Sequence, residues 1–137
     1  MTHKAKIMME STVDGEIIYN EYQGEYRYKN GAHNFVYTDY TGNAVTKNAV
    51  EATETQMLLH RTGAINGDML FDILTDTVTR YDAFMVTHGF LVHTYEYTVK
   101  NAGNKILIYL KYGLNDGSVE DEISGEQKIE VTLGEER

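Results

Sequence analysis

The chain has 137 residues, 42% of them hydrophobic, with 12 basic against 21 acidic side chains and no Cys, Pro or Trp. That length suits one domain over residues 1–137 with a core of its own, and the missing cysteines exclude a disulfide framework, a thiolate metal site and a cysteine nucleophile. The net charge of −9 argues against nucleic acid or anionic lipid as partner, because both need clustered Lys and Arg, and no run of about 18 apolar residues offers a membrane-spanning helix.

Alternation of apolar and polar residues, the mark of a half-buried strand, begins at once. Ala5, Ile7, Met9, Ser11 and Val13 share one face, and Asp14-Gly15 reads as a hairpin turn. The start lacks the apolar stretch of a signal peptide, which points to a cytoplasmic protein. The next run sets Ile18, Tyr22, Tyr26 and Tyr28 on one face against Glu21, Gln23, Glu25, Arg27 and Lys29, with Gly24 as a bend. Asn30-Gly31 is the strongest turn signal in the chain. A two-residue type I′ loop there pairs Tyr28 with His33, Tyr26 with Phe35, Gly24 with Tyr37 and Tyr22 with Asp39.

Thr41-Gly42-Asn43 turns again, Val45 to Thr55 is weakly patterned and is read as a strand, and Gln56 to Thr62 is a strand ending at Gly63. Ile65, Gly67, Met69, Phe71 and Ile73 alternate in the next one. Asp76 sits in a turn, and Val78 to Thr87 is a strand broken by His88-Gly89. Leu91, His93, Tyr95, Tyr97 and Val99 then share a face, followed by a turn at Asn101-Ala102-Gly103-Asn104 and a strand carrying Ile106, Ile108, Leu110 and Tyr112. After Asn115-Asp116-Gly117 the last strand sets Val119, Ile123, Ile129, Val131 and Leu133 against an acidic face, with Gly125 as its bend. About eight to ten strands joined by short turns predict an all-β chain. Strands longer than ten residues with interior glycines favour a single up-and-down antiparallel barrel over a sandwich.

The segments Leu58-Leu59-His60-Arg61-Thr62-Gly63, Met69-Leu70-Phe71, Thr79-Arg80-Tyr81-Asp82 and His88-Gly89-Phe90-Leu91 resemble the YwiB-like family of uncharacterised bacterial proteins, over nearly the whole chain. The resemblance implies a calycin-like barrel, related in shape to lipocalins and fatty-acid-binding proteins. It implies no activity.

Tyrosine carries the functional expectation. Tyr22, Tyr26, Tyr28, Tyr37, Tyr95 and Tyr97 are expected on the inner surface, and buried phenols require water, a polar network or a ligand. Large rings plugging the barrel are the competing reading. Arg61 alternates with Met57 and Leu59 and is expected at an inward or rim position. Arg80 shares a face with Asp82, and either arginine requires a partner such as Asp39, Asp82 or a Tyr hydroxyl. Among lipid-binding barrels such an arginine often meets a carboxylate. His93 and His33 are both expected to face inward, where they could meet across the barrel, yet their spacing carries no metal signature. Tyr22, Tyr26, Tyr28, Tyr37, Arg61, Arg80, His93 and Tyr95 are therefore the expected ligand-binding residues. No catalytic residue, metal or cofactor is assigned. The chain lacks a phosphate loop and a nucleophile elbow.

The expected function is binding of a small amphipathic or aromatic molecule in a Tyr-lined interior, by a monomer or weak homodimer. The alternative is a non-enzymatic scaffold with a plugged barrel. It would dock a basic partner through the closing strand, where residues 115–137 hold eight acidic and two basic side chains. An enzyme using His33 or His93 as acid or base is a third class.

Overall fold

The alternating runs become ten strands: β1 (Thr2–Val13), β2 (Glu16–Lys29), β3 (Ala32–Thr41), β4 (Ala44–Ala52), β5 (Gln56–Gly63), β6 (Ile65–Asp72), β7 (Thr77–Ala83), β8 (Val86–Ala102), β9 (Lys105–Asn115) and β10 (Ile123–Glu136). The computed structural model describes residues 2–83, 85–116 and 122–136. Each strand pairs antiparallel with its sequence neighbour and β1 pairs with β10, so the sheet closes into an up-and-down barrel. Closure leaves no edge strand along most of the sheet. No helix of the described residues is long and apolar enough to cross a membrane.

The β2–β3 hairpin has the expected register. Asn30 and Gly31 both take positive φ, 54° and 76°, as a type I′ turn demands, and Tyr28 pairs with His33, Tyr26 with Phe35 and Gly24 with Tyr37. The ladder stops there. Tyr22 and Asp39 are not backbone partners, although β2 continues along β1 to Glu16 and β3 continues along β4 to Thr41. The two strands part in a V because β2 bends at Gly24, where a Cβ would lie 2.1 Å from the Val36 carbonyl oxygen. Only glycine permits so close a crossing. The barrel thus has a split mouth, where β2 leaves β3, and at its opposite end a hairpin mouth beside Asn30-Gly31.

The inward rows form a continuous apolar core. Ile7, Leu110 and Val131 are wholly buried, and Phe35, Met57, Val92, Val50 and Phe71 nearly so. These side chains fill the middle of the barrel. Asn48 and Arg61 lie toward the split mouth, and His33 lies toward the hairpin mouth.

β8 departs from expectation twice. His88-Gly89 is not a turn; the strand runs straight through it, with His88 paired to Tyr81 and Gly89 to Arg80. The chain reverses just before, where Met85 takes a φ of 65°, in a stretch without Gly, Asn or Pro to announce it. A bulge between Thr94 and Glu96 then shifts the register against β9. One extra residue exchanges the two faces of a strand. Val92 and Thr94 consequently point inward before the bulge and Tyr97 after it, whereas His93 and Tyr95 lie exposed on the outer surface.

The bulge leaves a mark in the core. The Thr94 hydroxyl is buried and has no hydrogen-bond partner among the described residues. An unsatisfied buried hydroxyl costs about 1–3 kcal/mol, so the near-isosteric Thr94→Val is expected to raise stability by about 1 kcal/mol in urea titration. A loss of stability would assign that hydroxyl a partner.

Candidate functional site

The backbone row Tyr37–Asn48–Arg61–Gly67–Tyr81–His88 runs around the barrel at the split mouth. Every side chain in it points inward, so β3, β4, β5, β7 and β8 each supply one group. Gly67 supplies none and takes a φ of 144°, and a Cβ there would lie 2.6 Å from that of Tyr81. Its missing side chain leaves a void of about 10 Å³ bordered by Leu59, Arg61, Met69 and Tyr81, close to the space one water needs.

Arg61 is partly buried and makes no ion pair among the described residues. Its charge acts instead on phenols, opposing the burial that raises the pKa of Tyr37, Tyr112 and Tyr22 above the ordinary tyrosine value. Tyr22 and Tyr37 stack at 4.5 Å between ring centroids. Across the V, the Tyr22 hydroxyl donates to Asp39 Oδ2 at 3.5 Å, the weak limit of a hydrogen bond. The Asp39 carboxylate also accepts the Thr41 hydroxyl at 2.5 Å. Tyr112 lies over Gly125 and meets Phe71 at 5.0 Å. Arg61 thus lies at the end of the barrel where β2 leaves β3, with Tyr22, Tyr37 and Tyr112 within reach of its charge.

The hairpin mouth holds the other inward tyrosines. Tyr26 is buried and its hydroxyl lies 2.6 Å from His33 Nδ1, while Tyr28, 57% exposed, meets the His33 ring edge-on at 5.0 Å. Burial lowers the His33 pKa below its ordinary 6.5 and raises that of Tyr26. Tyr97 donates to the Thr53 carbonyl at 2.6 Å and to that of Gln56 at 3.1 Å, pinning the β4–β5 loop.

The lowered His33 pKa has a measurable consequence. The unfolded chain binds the imidazole proton more readily, so the stability this neutral ring contributes is present above about pH 6.5 and is lost as pH falls through the folded-state value. Chemical denaturation between pH 7.5 and 5 is expected to show this loss, and His33→Phe to flatten that part of the profile. An unchanged slope would show that His33 is not the titrating group.

The expected ligand-binding residues thus divide into three groups. Tyr22, Tyr37 and Arg61 meet at the split mouth; Tyr26 and Tyr28 line the hairpin mouth. Arg80, His93 and Tyr95 face outward, which corrects the expected inward placement of His93 and Tyr95 and sets Arg80 apart from the inward residues. Arg80 alternates with the inward Thr79 and Tyr81 on β7. His93 Nδ1 lies 2.5 Å from Asp76, and Tyr95 donates to Glu122 at 2.5 Å. His33 and His93 therefore do not meet, and neither Asp39 nor Asp82 pairs with an arginine among the described residues. No group of three metal-ligating side chains occurs among them.

Sequence reasoning missed Asn48, Tyr81 and His88. The buried Asn48 shares the inward phase of Val50 and Ala52 in a stretch whose pattern is weak, and Tyr81 follows from placing Arg80 outward. Of the acidic closing strand, Val119 and Glu120 lie outside the described residues. Glu122, Glu126 and Glu130 are engaged by Tyr95, Tyr109 and Lys105.

The family described as Domain of unknown function (DUF1934) matches residues 3–132. The crystal structure of the ywiB protein from Bacillus subtilis superposes with a TM-score of 0.85 at 19% sequence identity, covering 98% of this chain and 94% of that one. At this identity the likeness is one of fold. No curated protein matches the chain.

Proposed function

The chain belongs to the DUF1934 family, whose description assigns no activity, and we propose from the site itself that the protein binds a small amphipathic or aromatic organic anion at the split mouth. One observation carries this reading: Arg61 is a partly buried cation without a carboxylate partner among the described residues. Charges withdrawn from water are ordinarily paired, and a ligand carboxylate would complete a bidentate bond to the guanidinium. The stacked Tyr22 and Tyr37 rings supply an aromatic wall, and the long Tyr22–Asp39 contact is the bond most easily parted on entry. The filled mid-barrel keeps such a ligand at the mouth. The expected open, Tyr-lined interior is replaced in this reading by a terminal site.

Calorimetry of the full chain with phenylacetate and its uncharged isostere phenylacetamide tests it. The carboxylate is expected to bind and the amide not; equal binding, or none for either, would overturn the reading. A non-enzymatic interaction protein is the second reading, supported by a different observation. Residues 16–23 of β2 pair only with β1, leaving one edge without a ladder and Ile17, Ile18 and Tyr19 exposed. Such an edge can accept another strand. A concentration-dependent dimer dispersed by Ile18→Lys, together with no anion binding, would favour it.

A further inference from the structure

We propose that the hairpin mouth is a second and independent ligand site, built for a small organic cation bearing an ammonium group. The barrel opens there into a bowl of about 500 Å³ whose lining includes Tyr28, His33, Thr53, Glu54, Thr55 and Asn101. Glu54 is the one residue with a formal charge in this lining, and it makes no ion pair among the described residues. His33 lies at the base of the bowl with Nδ1 committed to Tyr26, so its Nε2 edge is the part left for a ligand. Beside it the Tyr28 ring is 57% exposed and stands edge-on to the imidazole. An exposed phenol face next to an unpaired carboxylate is the arrangement that attracts an ammonium, through the ring quadrupole and the ion pair together.

The loop that carries Glu54 is held in place. Thr53 N–H donates to the Gln56 carbonyl at 2.9 Å, and the Thr53 hydroxyl accepts the Gln56 and Thr55 N–H groups at 3.3 and 3.4 Å. The Tyr97 hydroxyl fastens Thr53 from below, and Ile73 N–H holds the Thr55 carbonyl at 3.0 Å. A carboxylate on a fixed loop loses little freedom on binding, which is what preorganisation contributes. The Thr55 hydroxyl and the Asn101 amide oxygen can accept the remaining ammonium protons. The net charge of −9 raises the local concentration of cations. Field alone would not select this mouth.

The experiment is an NMR titration of the full chain at low salt with phenethylamine, with the uncharged 2-phenylethanol as its counterpart. Saturable shifts are expected at Tyr28, His33, Val99 and Asn101 with the amine and not with the alcohol. Glu54→Gln is expected to weaken binding roughly fivefold, and Tyr28→Leu by a similar factor. Glu51→Gln removes the same charge from an exposed position on β4 and is expected to leave the affinity unchanged. Equal weakening by Glu51→Gln and Glu54→Gln, shifts scattered over the acidic surface, or binding indifferent to Glu54 would each overturn the proposal. None of the three variants touches the Arg61 mouth, so the outcome is independent of the anion site.

Discussion

Phe35→Ala is expected to destabilise the chain by about 3–5 kcal/mol, the range found when a buried aromatic leaves a cavity in a packed core. Phe35 is 1% exposed, lies between Tyr26 on β2 and Val50 on β4, and packs toward Tyr37 at 6.5 Å. Removing its ring empties the middle of the barrel, where Ile7, Met57 and Leu110 are held by neighbours on all sides and cannot collapse far. An interior shaped to hold a ligand would tolerate the change far better, because the ring would border space already open. Urea denaturation read by tyrosine fluorescence and far-UV dichroism measures the difference. A loss below about 1.5 kcal/mol would contradict the filled mid-barrel.

Arg61→Met is expected to act in opposite directions on stability and binding. It removes a partly buried charge that lacks an ion-pair partner among the described residues and keeps most of the side-chain volume, so the unliganded protein is expected to gain about 0.5–1 kcal/mol. Affinity for an aromatic carboxylate is expected to fall at least roughly tenfold, since the ligand charge would lose its counter-ion. Retained binding would remove Arg61 from the site. A large loss of stability would show instead that the guanidinium has a structural role.

Most of the barrel was legible because its signals are local. Asn30-Gly31 sets two residues at positive φ and thereby fixes a register, and the alternation of Ala5, Ile7 and Met9 or of Ile106, Ile108 and Leu110 can satisfy only one buried face. The turn at Met85 was not legible, since positive φ there is imposed on an ordinary side chain by the closing sheet. His88-Gly89 misled for the complementary reason: the glycine lies within an extended strand beside Arg80, and its freedom is not used for a turn.

The candidate site was half legible. Tyr22, Tyr37 and Arg61 were recognisable from their inward phase, but the separation of Tyr26 and Tyr28 to the opposite mouth depends on how strand stagger distributes one row along the barrel axis. His93 and Tyr95 were misplaced because a bulge leaves no mark in the pattern of side-chain types, so a correct alternation was carried one residue too far. The absence of the Tyr22–Asp39 backbone pair follows from the close crossing at Gly24, a three-dimensional contact with Val36. Even so, the glycine itself marked where the strand would bend.

The most direct measurement is a solution NMR titration of the full chain with phenylacetate that follows the Arg61 Nε–H signal and the Tyr22 and Tyr37 ring protons. A ligand seated at the split mouth will shift all three along one saturation curve. An unmoved Arg61 signal, or shifts gathered instead around Arg80, His93 and Tyr95 on the outer surface, would contradict the assignment.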